Sequence, residues 1–298
     1  MKLVNPTGDI ALRVGDEAAV RMIAAAGFDG YDYSCNNGDK FFEAPLGGML
    51  ARAKRVKRAA DACGLPCLQS HAPYFWMAAP GDDETYPSER TPEHYAAVAV
   101  NCLYFMAELE CDRMVVHPGA YYTPEENRDR LYGKILPTAE KLGITVLTEN
   151  CYYYRDKTYT EFVPTACGTI ADFIAHIDLI NNKYFKGCLD VGHASMQNSE
   201  GAAKMIRAIG AGRIAAVHIQ DTDLIGDNHT FPFCGKQDWD DIMAALGEIG
   251  YTGHFTFEAD SFFRRYPTEL LPACLTLLEK TGRYLIAKLS CKLPNKNK

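Results

Sequence analysis

The sequence predicts an α/β fold built as one closed (β/α)8 barrel, and three observations carry that expectation. Short runs rich in β-branched and aromatic residues alternate with longer stretches of helical period, and the alternation continues to the C-terminal end. Eight such units in 298 residues give roughly 36 residues each, the size of one strand–helix repeat. No G-x-G-x-x-G follows the first strand, so the dinucleotide-binding form of an open doubly wound sheet lacks its phosphate loop. Length alone would suggest two domains, but eight units are what closes a TIM barrel, so residues 1–298 read as a single domain.

Taken in order, strands are expected at residues 3–5, 28–34, 66–71, 113–117, 145–150, 187–191, 215–219 and 252–258. Helical period places helices at 17–26, 49–63, 93–110, 126–142, 170–181, 201–209, 239–249 and 267–287. Gly27, Gly64, Gly143, Gly210 and Gly250 each stand just past the last apolar-periodic residue of a helix, where a left-handed C-cap costs glycine least. No low-complexity linker interrupts the chain, and Lys292 to Lys298 reads as a flexible basic tail.

Composition excludes several classes. With 23% charged and 47% hydrophobic residues the chain is too apolar for disorder. It has neither a signal-peptide-like start nor an uncharged apolar run long enough to span a bilayer, so a cytoplasmic protein without membrane contact is expected. The 11 cysteines are scattered without a C-x-x-C pair and read as reduced, mostly buried thiols. The formal charge of −7 argues against a nucleic-acid partner. A homo-oligomer is compatible with these features.

Chemistry in a barrel sits at the C-terminal ends of the strands, and that is where the polar residues gather. Strand three ends at His71, strand four at His117, strand five at Glu149-Asn150, strand six at Asp190 with His193 three residues on. Strand seven carries His218 and strand eight ends at Glu258, while Asp227-Asn228-His229 follows strand seven. Each residue alone has a structural explanation as a hydrogen-bonded histidine or half an ion pair. Together, six consecutive strands aim a His or carboxylate at one pocket. No Arg lies near those tips in sequence, and only Lys186 is close, toward the other end of strand six. Buried carboxylates without basic partners call for a divalent cation. Mixed imidazole and carboxylate suits Zn²⁺, Mn²⁺, Co²⁺ or Fe²⁺ better than Ca²⁺ or Mg²⁺.

At these residues the chain resembles the xylose isomerase-like TIM-barrel superfamily, which contains sugar phosphate isomerases and epimerases, ketose 3-epimerases and the endonuclease IV group. The resemblance to the epimerase branch implies one divalent ion (Mn²⁺, Zn²⁺ or Co²⁺) held by Glu149, Asp190, His218 and Glu258, with His193 contacting substrate. Gly235-Lys236-Gln237-Asp238-Trp239 and Tyr251-Thr252-Gly253 look like the G-x-x-D-W…Y-x-G stretch of that branch. The endonuclease IV branch implies nine zinc ligands, which would add His71, His117, His193, Asp227 and His229. Against that reading, the segment after His218 runs Ile219-Gln220-Asp221-Thr222-Asp223, acidic where a base is expected, and Gly192 precedes His193 where that branch has Cys.

The epimerase resemblance implies a small sugar substrate and proton transfer through an enediolate, with Glu149 and Glu258 on opposite faces of the sugar. A zinc apurinic-site nuclease is the alternative, as is a metal-dependent lyase or dehydratase acting on a sugar-derived substrate; a barrel that binds a sugar-like ligand without turnover is a third reading. Tyr74 and Trp76, and the aromatics Tyr152 to Tyr154, are candidates to contact the sugar or to pack the rim. Leu224 stands where ketose 3-epimerases carry an Arg six residues after the metal-binding His. Arg264 and Arg265 are open either to a substrate anion or to a solvated rim.

Overall fold

The computed structural model describes residues 1–35, 46–73, 91–154 and 161–290. Eight parallel strands close into a barrel: β1 (Lys2–Pro6), β2 (Gly30–Ser34), β3 (Cys67–His71), β4 (Arg113–Val115), β5 (Thr145–Glu149), β8 (Phe185–Asp190), β9 (Ile214–Ile219) and β10 (His254–Phe257). Closure is made by β1, whose Lys2 pairs with His254 on one side and whose Val4 pairs with Gly30 on the other. The expected eight-stranded α/β barrel is therefore what forms. A short antiparallel hairpin, β6 (Tyr152–Tyr154) with β7 (Phe162–Pro164), is added after β5.

The helices α2 (Asp16–Ala26), α3 (Leu46–Cys63), α4 (Pro92–Glu108), α7 (Ile170–Ile180), α8 (Ala202–Ile209), α9 (Trp239–Glu248) and α11 (Leu271–Ser290) cover the outside. All five glycines expected to end helices adopt positive φ, as a left-handed cap requires. The helix expected over 126–142 is instead three pieces: α5 (Pro124–Asn127), a π-helical turn (Arg128–Tyr132) and α6 (Gly133–Leu142). Pro137 lies inside α6 and cannot donate to the turn before it, so the apolar period continues through a stretch whose hydrogen bonding is irregular.

Two elements that position the pocket escape the sequence pattern because they are short. They are α1 (Gly8–Val14), broken from α2 by Gly15, and α10 (Asp260–Arg264). The segment 74–90 and the tail 292–298 lie outside the described residues, and so therefore do Tyr74 and Trp76. Among the described residues the cysteines are all free and most are buried, and no helix is long and apolar enough to cross a membrane.

The barrel interior is layered. Val115, Leu147, Cys188 and Ala216, from β4, β5, β8 and β9, form one small, fully buried apolar cluster. A strand repeats its side-chain direction every two residues. The positions two further along these strands are His117, Glu149, Asp190 and His218, so the polar layer stands directly on this apolar floor.

A candidate metal centre on the barrel floor

Four strands adjacent in the barrel, β5, β8, β9 and β10, supply Glu149, Asp190, His218 and Glu258. Asp190 and His218 are register partners, and Glu258 follows the last residue of β10. One potential ligand atom from each of the four lies within 4.8 Å of the others. Glu149, Asp190 and His218 are 0–1% exposed, whereas Glu258 is 22% exposed and lines the cavity above. His218 Nδ1 sits 3.2 Å from Glu149 Oε1 and 3.0 Å from Glu258 Oε2, the latter without hydrogen-bond geometry.

The other five histidine and aspartate candidates fall into two flanking groups. On one side His71 and His117 approach Glu149 Oε2, at 3.5 and 3.2 Å, with their own Nε2 atoms 3.2 Å apart. His117 does this from the loop rather than from the strand, because β4 ends at Val115. On the other side His193, Asp227 and His229 meet, with His229 Nε2 at 2.7 Å and His193 Nε2 at 3.4 Å from the two oxygens of Asp227. Tyr152, on the hairpin, donates to Asp227 Oδ2 at 2.8 Å and lies edge-on to the His193 ring.

Burial opposes every charge in this cluster, so the remaining shifts report pairing. Against burial, His218 and His117 hold the Glu149 carboxyl well below its ordinary value. Cys188, Glu149 and Glu258 hold the His218 imidazole well above its own, also against burial. Burial pushes Asp190 up to about 7, with His193 opposing and Glu258 and Glu149 adding to the rise. Burial also dominates at His117 and lowers it, although Glu149 pulls the other way. Three carboxylates around one imidazole, including a buried Glu258 oxygen that accepts no hydrogen bond, fit a divalent cation better than they fit one another.

Several residues that organise this centre are not prominent in the sequence. Gln220, two residues past His218, donates through Nε2 to both Asp190 oxygens at 3.2 Å and to Asp227 Oδ1 at 3.0 Å, while its Oε1 accepts from the His229 backbone at 2.8 Å. It reaches that position only because residue 192 is glycine: a Cβ there would collide with the Gln220 side chain. Gly192, one of the departures from the nuclease pattern, and Gln220 are therefore one packing unit. Asn150 locks β5 to β8 by accepting from the Asp190 backbone and donating back to its carbonyl, at 2.7 and 2.9 Å. Asp32, in the middle of β2, is buried beside Gln69, whose Nε2 lies 2.7 Å from Asp32 Oδ2 and 2.9 Å from His218 Nε2. Asp32 sits in the strand expected at 28–34 but carries no motif, which is why it passes unnoticed there.

Above the centre opens a cavity of about 470 Å³. One wall carries His71, His117, His193, His218, Asp227, His229 and Glu258; Glu149 lies beneath this surface. The facing wall comes from the unexpected helices α1 and α10, and it corrects the reading that no Arg is near: Arg264 lines the mouth, paired with Asp9 at 2.6 Å. Lys186 stays at the far end of β8, bonded to the Gly212 carbonyl.

The fold has many solved counterparts. A D-tagatose 3-epimerase-like protein superposes with a TM-score of 0.71 at 20% identity, covering 98% of this chain and 100% of the other. The IolI protein with a binding zinc atom gives 0.70 at 14% identity, covering 97% and 99%. 3-keto-D-glucoside 4-epimerase from E. coli gives 0.66 at 19% identity, covering 94% and 99%. No curated protein sequence matches the chain. The model of the xylose isomerase-like TIM barrel matches residues 20–270, nearly the whole of the barrel just described, and the chain belongs to that family.

Proposed function

We propose that this protein is a divalent-metal-dependent sugar isomerase or epimerase that moves a proton through an enediolate. The observation that carries the reading is the convergence of Glu149, Asp190, His218 and Glu258 at the floor of a sugar-sized cavity. Sugar epimerases among the similar structures, one of them described with D-allulose bound, support the substrate class. An ion held by these four residues would polarise the substrate carbonyl and stabilise the negative charge that develops on its oxygen.

The protein's own groups then divide the proton work. Glu258 lines the cavity whereas Glu149 does not, so it is the carboxylate placed to take the proton from the carbon acid. Glu149 lies beneath His117 and His218, which hold its two oxygens, and is the second carboxylate of the pair. His193 is fixed with its Nδ1 against the Asn150 carbonyl at 2.9 Å, which leaves Nε2 toward Asp227 and the cavity for a substrate hydroxyl.

The test is solvent deuterium entering the carbon next to the carbonyl of a ketose, with Mn²⁺, Co²⁺ or Zn²⁺ supplied. Glu149→Gln and Glu258→Gln should each lower exchange by about 10²–10⁴-fold. Exchange that persists in both variants would sink the assignment.

The nuclease alternative keeps one observation in its favour, the two flanking groups that could hold further ions. Three zinc ions per chain together with incision of abasic duplex DNA would establish it. One ion with ketose exchange supports the isomerase reading.

A further inference from the structure

We propose that the wall built by β1, β2, α1 and α10 is a subsite for the distal hydroxyls of an unphosphorylated polyhydroxy substrate, formed by Asp32, Asp260 and the Asp9–Arg264 pair. The proposal rests on the isomerase reading and names the substrate class it takes. The cavity has two walls of opposite character. The histidine-rich wall surrounds the candidate metal centre, and the facing wall is lined by Pro6, Gly8, Asp9, Asp32, Ser34, Asp260 and Arg264.

Three features make the facing wall a binding surface rather than a solvated rim. Asp32 is only 2% exposed, lines the cavity, and its Oδ1 has no hydrogen-bond partner among the described residues, while Gln69 holds its Oδ2. A buried carboxylate oxygen without a donor is costly unless a ligand supplies one. Asp260 also lines the cavity, with its Oδ2 close to Gly8 of α1. Asp9 is 10% exposed and is gripped by Arg264 through both its oxygens, at 2.6 and 3.3 Å, which fixes the carboxylate in place.

The charge on this wall selects the ligand. Arg264 is the only Arg or Lys lining the cavity among the described residues, and it is already engaged with Asp9, so the wall holds no free cation for a phosphate. Hydroxyl groups can donate to the wall's carboxyl oxygens, whereas a phosphate brings further negative charge to them. In the loop after β9, Leu224 is 40% exposed and does not line the cavity, so that position supplies no anchor for the distal hydroxyls. A substrate with its carbonyl end over the metal centre would point its remaining hydroxyls at this wall.

The experiment offers D-fructose, D-fructose 6-phosphate and dihydroxyacetone to the Mn²⁺-loaded full chain in deuterated water and follows exchange by NMR. The expected result is a kcat/KM for the free ketohexose at least about tenfold above that for its 6-phosphate. Asp260→Asn should raise KM for fructose about tenfold more than KM for dihydroxyacetone, which has no distal hydroxyls, with a smaller change in kcat. Should that variant fold poorly, Arg264→Gln on the exposed α10 surface releases Asp9 and should give the same selective rise. Equal or better turnover of the 6-phosphate, or KM shifts of the same size for both ketoses, would overturn the subsite and leave the isomerase reading standing. No exchange with any of the three would overturn both.

Discussion

Gln220 shows how much of this centre depends on a residue that would hold no metal itself. One amide bridges Asp190 to Asp227 and seats the backbone of His229, so it sets the distance between the central group and one flanking group. Groups of this kind typically contribute 10- to 100-fold to metal affinity. Gln220→Ala should therefore weaken Co²⁺ binding by about 10-fold or more, read by calorimetry, while the far-ultraviolet spectrum stays that of the folded barrel. Unchanged affinity would mean that Asp190 holds its place without the bridge. Filling the space from the other side, Gly192→Ala should act in the same direction, because its new methyl group displaces the Gln220 side chain.

At the scale of an element, the loop between β9 and α9 matters most, because it carries Asp227 and His229. Its organiser is Asp221, fully buried, which accepts hydrogen bonds from the backbone of Thr222, Phe233 and Gln237 and from the Trp239 indole, at 2.8 to 3.1 Å. The loop closes so tightly over it that a Cβ at residue 235 would overlap Asp221 and the Thr222 carbonyl, which explains Gly235. Asp223, the acid that in the sequence tells against nucleic-acid binding, likewise serves the loop's own geometry by accepting from the backbone of Ile225 and Gly226 at 2.9 and 3.0 Å. Asp221→Asn puts a donor opposite two of the groups that donate to Asp221 and should cost about 3 kcal/mol. The expected readout is a clear fall in the thermal midpoint with weakened metal binding; a midpoint within a degree of the parent protein would contradict this account.

Across the whole molecule, barrel closure depends on a contact between its two ends. Arg283 on α11 grips Asp29 through both carboxylate oxygens, at 2.7 and 3.1 Å, and also donates to the Gly27 carbonyl. Asp29 in turn accepts from the Leu3 backbone on β1 at 2.7 Å. Burial works against the Asp29 charge, but Arg283 and that backbone donor hold its carboxyl below 3.8 in the fold. A depressed aspartate stabilises the fold fully above its unfolded value, and the contribution is lost as pH falls through the folded value. Arg283→Ala should cost about 1 kcal/mol at neutral pH, since solvent screens this half-exposed pair. The difference between parent and variant should shrink below pH 3.8 as the parent loses the contribution; a difference that grows on acidification would refute the assignment.

The strand-end residues His71, His117, Glu149, Asp190, His218 and Glu258 were legible in the sequence because two local rules suffice to find them. Hydrophobic period marks the strands, and in a (β/α)8 barrel the end of each strand points at the same place. The five glycine caps were legible for the same reason, since a left-handed turn is a local requirement. Asp32, Gln69, Gln220, Asp9 and Asp260 were not, and Arg264 stayed open between a substrate anion and a solvated rim, because their significance lies in contacts between distant segments: Asp9 and Arg264 are 255 residues apart, and Asp32 and Gln69 are 37 apart. Gly192 reads as a missing cysteine until Gln220 is seen to occupy the space. The sequence by itself determined the repeat count, the barrel and the ring of histidines and carboxylates. Only the tertiary structure decided which of these carboxylates faces the cavity and which is sealed beneath it, and what stands opposite, because burial and charge pairing are properties of the closed barrel and not of any one strand.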